Sequence, residues 1–134
     1  MRTAMAKVLI VDDEKDIRLL IGQYLEAKGV EFELADSVAQ ARKHLEDSHF
    51  DVVISDFNMP DESGFDLFHF ISSRYPGLRF VLMSGCTDAG LKRKARRMGI
   101  CGYLAKPFSM FDLMKFINNH ESIAGHDEVC VQAS

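Results

Sequence analysis

Short apolar runs alternate along the chain with stretches whose apolar positions recur every three or four residues. Val8-Leu-Ile-Val11 is continuous and brief, the pattern of a strand buried on both faces. After it, Ile17, Leu20, Ile21, Tyr24 and Leu25 share one face of a helix, which Gly29 stops. Glu31–Ala35 reads as a second strand. Ser37 with Gln40 has capping-box spacing and opens a helix that buries Val38, Ala41 and Leu45. Val52–Asp56 is the third strand, followed by the turn-rich Asn58–Gly64. Leu67, Phe68, Ile71 and Tyr75 form the next helical stripe, closed by Pro76-Gly77. Arg79–Ser84 is the fourth strand, and Leu91, Ala95 and Met98 mark the fourth helix. Gly102–Ala105 is a short fifth strand, after which Ser109 caps a last helix through Met110, Leu113 and Ile117.

Five repeats of strand then helix predict an α/β fold, a parallel sheet with helices on both faces and right-handed crossovers. The 134 residues suit one domain, expected over residues 1–120, with 121–134 a polar, aperiodic and flexible tail. A formal charge of −4 gives no reason to expect direct nucleic-acid or membrane binding. The three cysteines are odd in number and scattered, which favours reduced thiols over a disulfide framework. No apolar run approaches a membrane span, and the first is too short for a signal peptide. A cytoplasmic protein is the expectation.

In an open parallel sheet, ligands sit beyond the carboxyl ends of the strands. The first strand ends in Asp12-Asp13, the third in Asp56, the fourth in Ser84, and the fifth runs into Lys106. Three carboxylates, a hydroxyl and an ammonium are therefore expected at one edge. Clustered carboxylates repel, so protons or a cation must sit among them. Mg²⁺ suits an all-oxygen set and is often shared with phosphate. Asp13 and Asp56 are candidate direct ligands, with Asp12 holding a metal-bound water and the Asn58 backbone carbonyl completing the set. Asp56 is the candidate nucleophile for an acyl phosphate, with Lys106 and Ser84 offsetting charge on the phosphoryl oxygens.

The segments VLIVDDE (8–14), VVISDFNMPDESG (52–64), VLMSG (81–85) and GYLAKPF (102–108) resemble the receiver domain of two-component response regulators, the family of the chemotaxis protein CheY. The likeness spans roughly Lys7 to His120. It implies a flavodoxin-like (βα)5 fold, doubly wound, with five strands in the order 2-1-3-4-5. It further implies phosphorylation at Asp56, Mg²⁺ at Asp12, Asp13, Asp56 and the Asn58 carbonyl, and a switch pair of Ser84 and Tyr103. Lys106-Pro107 matches a pair whose peptide bond is cis in the family. The positions two after Asp56 and two after Ser84, here Asn58 and Cys86, influence acyl-phosphate lifetime in the family. A sensor histidine kinase or histidine phosphotransfer protein is the implied donor, acting on a protein that is a monomer or dimerises on phosphorylation. The downstream protein, the pathway and the output have no signature in the sequence.

The fourth helix carries Lys92, Arg93, Lys94, Arg96 and Arg97, five cations in six positions. A solvated face and a docking surface for an acidic partner are equally good readings. On the second, Lys92, Arg93, Arg96 and Tyr103 are the partner-binding candidates. The competing function is a phosphohydrolase of the haloacid dehalogenase type, which also uses an aspartyl phosphate. That chemistry wants a second Asp two residues after the nucleophile, where this chain has Asn58. A phosphoacceptor signalling domain, rather than an enzyme acting on outside substrates, is the expected function.

Overall fold

A computed structural model of the chain describes residues 6–85, 89–118 and 129–132, with backbone alone at 89 and 129–132. The elements run β1 (Val8–Val11), α1 (Lys15–Ala27), β2 (Phe32–Ala35), α2 (Val38–Asp47), β3 (Val52–Asp56), α3 (Gly64–Arg74), β4 (Arg79–Ser84), α4 (Ala89–Met98), β5 (Gly102–Ala105), α5 (Met110–Asn118) and β6 (Val129–Gln132). All strands pair in parallel, in the order β2-β1-β3-β4-β5-β6. The first five thus keep the expected 2-1-3-4-5 order of a flavodoxin-like sheet. The sixth strand was not expected: Val129–Gln132 lies within the stretch read as a tail, yet pairs with β5. Its apolar segment, Val129-Cys130-Val131, is short and follows a polar stretch, so it carries no readable period.

Strand periodicity builds two cores from one sheet. Side chains alternate faces along a strand, so Val8 and Ile10 point one way and Leu9 and Val11 the other. The first pair packs with Ile21, Leu25, Leu113, Phe116 and Ile117, from α1 and α5. The second packs with Val38, Leu45, Leu67 and Ile71, from α2 and α3, and reaches Ala95 on α4. Leu9, Ile10, Ile54, Leu82 and Leu104 are fully buried. Each such side chain contributes about 2 kcal/mol relative to exposure. The buried β1 carries no charge and β3 none until its last residue, so the carboxylates, Asp12-Asp13 just after β1 and Asp56 ending β3, collect at one end.

Helix ends follow local chemistry, with one departure. Gly29 (φ 74°) and Gly99 (φ 93°) take the left-handed conformation after α1 and α4. The Ser37 hydroxyl accepts from the Gln40 N–H at 3.1 Å, as the spacing predicts, but the Gln40 side chain accepts from Asp36 N–H rather than closing on Ser37. The complete reciprocal box is at α3: Ser63 Oγ accepts from Asp66 N–H at 3.2 Å, and Asp66 accepts from Ser63 N–H at 3.0 Å. Asp stands there in place of the usual Glu or Gln.

Candidate functional site

The β1 carboxyl end is the point where the chain's strand order reverses, with β2 on one side and β3 on the other. Asp12 follows β1 and is fully buried, while Asp13 turns to solvent. Asp56 ends β3 and is 7% exposed. One carboxylate oxygen from each of Asp12, Asp13 and Asp56 lies within 4.8 Å of the others. The turn holding Asp12 is fixed by its own N–H to the Ala35 carbonyl at 3.0 Å, by Glu14 N–H to its Oδ1 at 2.9 Å, and by the Arg18 guanidinium to its carbonyl at 2.8 Å.

Lys106 reaches into this cluster from beyond β5. Its ammonium donates to Asp12 Oδ2 at 3.0 Å and lies 3.4 Å from Asp56 Oδ1 and 3.5 Å from Glu14 Oε1. Its backbone N–H donates to the Ser84 carbonyl at 2.8 Å, tying the ends of β4 and β5 together. The Lys106-Pro107 peptide bond is cis, as the resemblance implied. Burial alone would lower the Lys106 pKa, but the hydrogen bond and charge of Asp12, then Asp56 and Glu14, hold it above the ordinary value.

Asp56 is the strained member. Burial raises its pKa from 3.8 to about 6; Lys106 opposes the rise, and the neighbouring charges of Asp12 and Asp13 add to it. One ammonium does not neutralise three carboxylates, so the cluster has room for more positive charge. Its donors are all hard oxygens, the set that Mg²⁺ prefers over softer metals. Asp12, Asp13 and Asp56 fit such an ion on chemistry and proximity.

Ser84 and Tyr103 are both buried, 2% and 6% exposed, and lie on adjacent strands. Ser84 ends β4 beside the cluster, while the Tyr103 ring packs into the core on the α2–α4 side. In this conformation Tyr103 is thus buried, in the same cluster as Ala95 and Leu91 of α4. Among the cations of α4, Arg93, Arg96 and Arg97 are exposed and Lys92 is half-buried. Lys94 is exposed too, and its ammonium sits 5.2 Å from the centre of the Phe65 ring, which meets Phe57 edge-on at 5.0 Å. Cys86 lies outside the described residues.

Sequence reasoning passed over three features. Glu14, read only as part of a motif, faces Lys106. Gly64 lets α3 start against β3, since a Cβ there would stand 2.8 Å from the Asp56 carbonyl oxygen. The loop after Asp56 is also anchored to α2 through Asp61, Glu62 and Arg42. No local pattern marks the contacts of that loop with α2, because each joins residues that are 20 or more positions apart.

Residues 8–118 match the family model described as the response regulator receiver domain. The response regulator protein FleR of Pseudomonas aeruginosa is 36% identical over 115 residues, and the DNA-binding transcriptional regulator NtrC of Azospirillum brasilense is 32% identical over 112. Those alignments cover 86% and 84% of this chain but only 24% and 23% of the longer proteins, so the chain spans about a quarter of their length. Chemotaxis response regulator CheY4 of Vibrio cholerae superposes with a TM-score of 0.79 at 33% identity, covering 87% of this chain and 99% of its own. A receiver domain from Clostridium thermocellum gives 0.81 at 33% identity, covering 87% of this chain and 94% of its own. No helix among the described residues is long and apolar enough to cross a membrane. With the strand order, the acidic cluster and these likenesses in agreement, the chain belongs to the response regulator receiver family of two-component signalling.

Proposed function

We propose that Asp56 is the phosphoacceptor and that Asp12, Asp13, Asp56 and the Asn58 backbone carbonyl hold Mg²⁺ beside it. The observation that carries this reading is the Lys106 ammonium, 3.0 Å from Asp12 and 3.4 Å from Asp56, in a cluster of three carboxylates with one cation. Receiver domains take phosphoryl groups from kinases and bind Mg²⁺, and this geometry suits both. An Asp56 carboxylate oxygen attacks the phosphorus of a donor phosphohistidine. A new O–P bond forms, the N–P bond breaks, and its electron pair leaves on the imidazole nitrogen. Lys106 faces the incoming oxygens as a fixed positive charge, and the Ser84 hydroxyl donates to one of them. When bound at Asp12, Asp13, Asp56 and the Asn58 carbonyl, Mg²⁺ would supply the remaining charge neutralisation.

The donor is a sensor histidine kinase or a histidine phosphotransfer protein, and the protein works as a signalling switch in the cytoplasm rather than as an enzyme on outside substrates. Asn58 stands where a dehalogenase-type phosphohydrolase would need an acid. Phosphorylation biases a two-state equilibrium around Ser84, Tyr103 and α4. Its readout is the α4 surface, where Lys92, Arg93 and Arg96 meet an acidic partner. Tyr103 contributes through the position of its ring, since it is buried in this conformation.

The test is intact mass after incubation with acetyl phosphate, with and without Mg²⁺, for the native protein and Asp56→Asn. One phosphoryl group gained only with Mg²⁺, and only with Asp56 present, is the expected result. A folded protein that gains no phosphoryl group and forms no stable beryllofluoride complex would sink the proposal.

A further inference from the structure

The loop that would supply the Asn58 carbonyl is held at both its base and its tip. At the base, Gly64 N–H donates to the Phe57 carbonyl at 2.8 Å, and Asn58 pairs with Ser63 in an isolated antiparallel bridge. At the tip, the Asp61 carboxylate accepts from Val38 N–H at 3.1 Å and Ala39 N–H at 3.0 Å, the first two residues of α2. The Glu62 N–H also donates to Asp61, at 3.0 Å. With Ser37 taking the Gln40 N–H, three amides of the first helical turn are satisfied, two of them from a distant part of the chain. One residue further on, the Glu62 carboxylate and the Arg42 guanidinium form a two-pronged pair at 2.9 and 2.8 Å. Arg42 is itself packed 5.1 Å from the centre of the Phe70 ring.

A charged carboxylate on helix N-terminal amides is a strong form of cap, and a forked Arg–carboxylate pair fixes orientation as well as distance. Only Met59 and Pro60 separate Asn58 from Asp61. Proline locks its own φ and restricts the residue before it, so this link is stiff. A shift of the tip relative to α2 is therefore passed to the Asn58 carbonyl rather than absorbed.

We propose that Asp61 and Glu62 are positioning residues that fix the Asn58 carbonyl for Mg²⁺ by latching its loop to α2. The idea rests on the metal reading above, but it concerns groups that touch neither the ion nor the phosphoryl group. Contacts that orient a ligand from behind are worth on the order of tenfold in metal affinity.

The experiment is Mg²⁺ titration of the phosphoryl-free full chain, followed by calorimetry and by backbone amide shifts. The proteins compared are the native chain, Asp61→Ala, Glu62→Gln, the charge swap Arg42→Glu with Glu62→Arg, and Asp13→Asn. The Mg²⁺ dependence of acetyl phosphate labelling is measured alongside. The latch variants are expected to bind Mg²⁺ about tenfold more weakly and to need correspondingly more of it for half-maximal labelling, with the plateau rate unchanged. The charge swap should recover much of the loss. A variant that melts earlier without metal yet binds Mg²⁺ as the native chain does would mean a merely structural cap, and would overturn the proposal. So would a lower plateau with unchanged Mg²⁺ demand. If the native chain binds no better than Asp13→Asn, the metal reading itself fails and the latch with it. Failure of the latch alone leaves native binding intact and equal in Asp61→Ala.

Discussion

Asp56 and Lys106 hold the same cluster in opposite senses. The raised pKa of Asp56 means that the folded, metal-free protein binds a proton there more readily than the unfolded chain. Its ionised form therefore costs stability above about pH 6, and that cost disappears as pH falls toward 3.8. Asp56→Asn should accordingly melt higher than the native chain at pH 7.5 without metal. The gap should narrow as pH drops through 6, and adding Mg²⁺ should narrow it again by stabilising only the native chain. Melting curves of the two proteins across pH 4.5–8, with and without Mg²⁺, check this; a gap independent of pH would mean that Asp56 is not the destabilised ion. Lys106→Met runs the other way, because it leaves Asp12 fully buried with its partner removed. Breaking such a pair costs about 3 kcal/mol. Labelling at Asp56 should also fall by on the order of a hundredfold at saturating Mg²⁺, the effect of deleting one preorganised charge at a reacting oxygen. Denaturant melts and labelling rates measure the two losses separately.

Elements join at glycines whose missing side chains set how close they come. At Gly64, a Cβ would meet the Asp56 carbonyl oxygen and Leu82 Cδ1 at 2.8 Å and Phe57 Cα at 3.1 Å. Two of these neighbours are backbone, so α3 or the end of β3 must move. At Gly102, a Cβ would meet the Phe116 ring at 2.5 and 2.8 Å, a clash between β5 and α5 remote from Asp56. Gly64→Ala and Gly102→Ala should each cost about 1–3 kcal/mol by overpacking. Only Gly64→Ala should also weaken Mg²⁺ binding and labelling, and only Gly102→Ala should be relieved by Phe116→Leu. Equal effects of both on Mg²⁺ binding would contradict this picture. Neither clash is written in the local sequence, because a glycine at a strand start or helix start looks like an ordinary punctuator. Asp56 and Asp12-Asp13 were legible for the opposite reason: a charged residue that ends an apolar strand announces both its position and its edge. Capping shows the same division. Ser37 and its amide partner follow from spacing, whereas the Asp61 cap on α2 joins residues 22 and 23 positions apart and no local rule reveals it.

At the scale of the molecule, a parallel sheet with right-handed crossovers was readable from the strand–helix repeats, whereas the 2-1-3-4-5 order was implied by the receiver-domain resemblance. The sixth strand was not readable, since three apolar residues after a polar stretch satisfy no template. Its presence changes what β5 is. In a five-stranded sheet β5 would be an edge, offering unpaired N–H and C=O groups; here β6 pairs along Gly102–Ala105. That edge lies between α4 and α5, and its strand carries Tyr103 and leads into Lys106. β6 thus covers the strand that connects the proposed switch residue to the phosphoryl site. A chain ended after Asn118 should keep its fold, because helices α1–α5 already pack on both faces of the first five strands. It should lose hydrogen-exchange protection only at those β5 amides that point away from β4. Amide exchange followed residue by residue, in the full and shortened chains, reads this directly. Protection unchanged throughout β5 would mean that β6 does not pair there in solution, whereas loss spreading to β4 and β3 would make β6 part of the cooperative sheet rather than a cover on its edge.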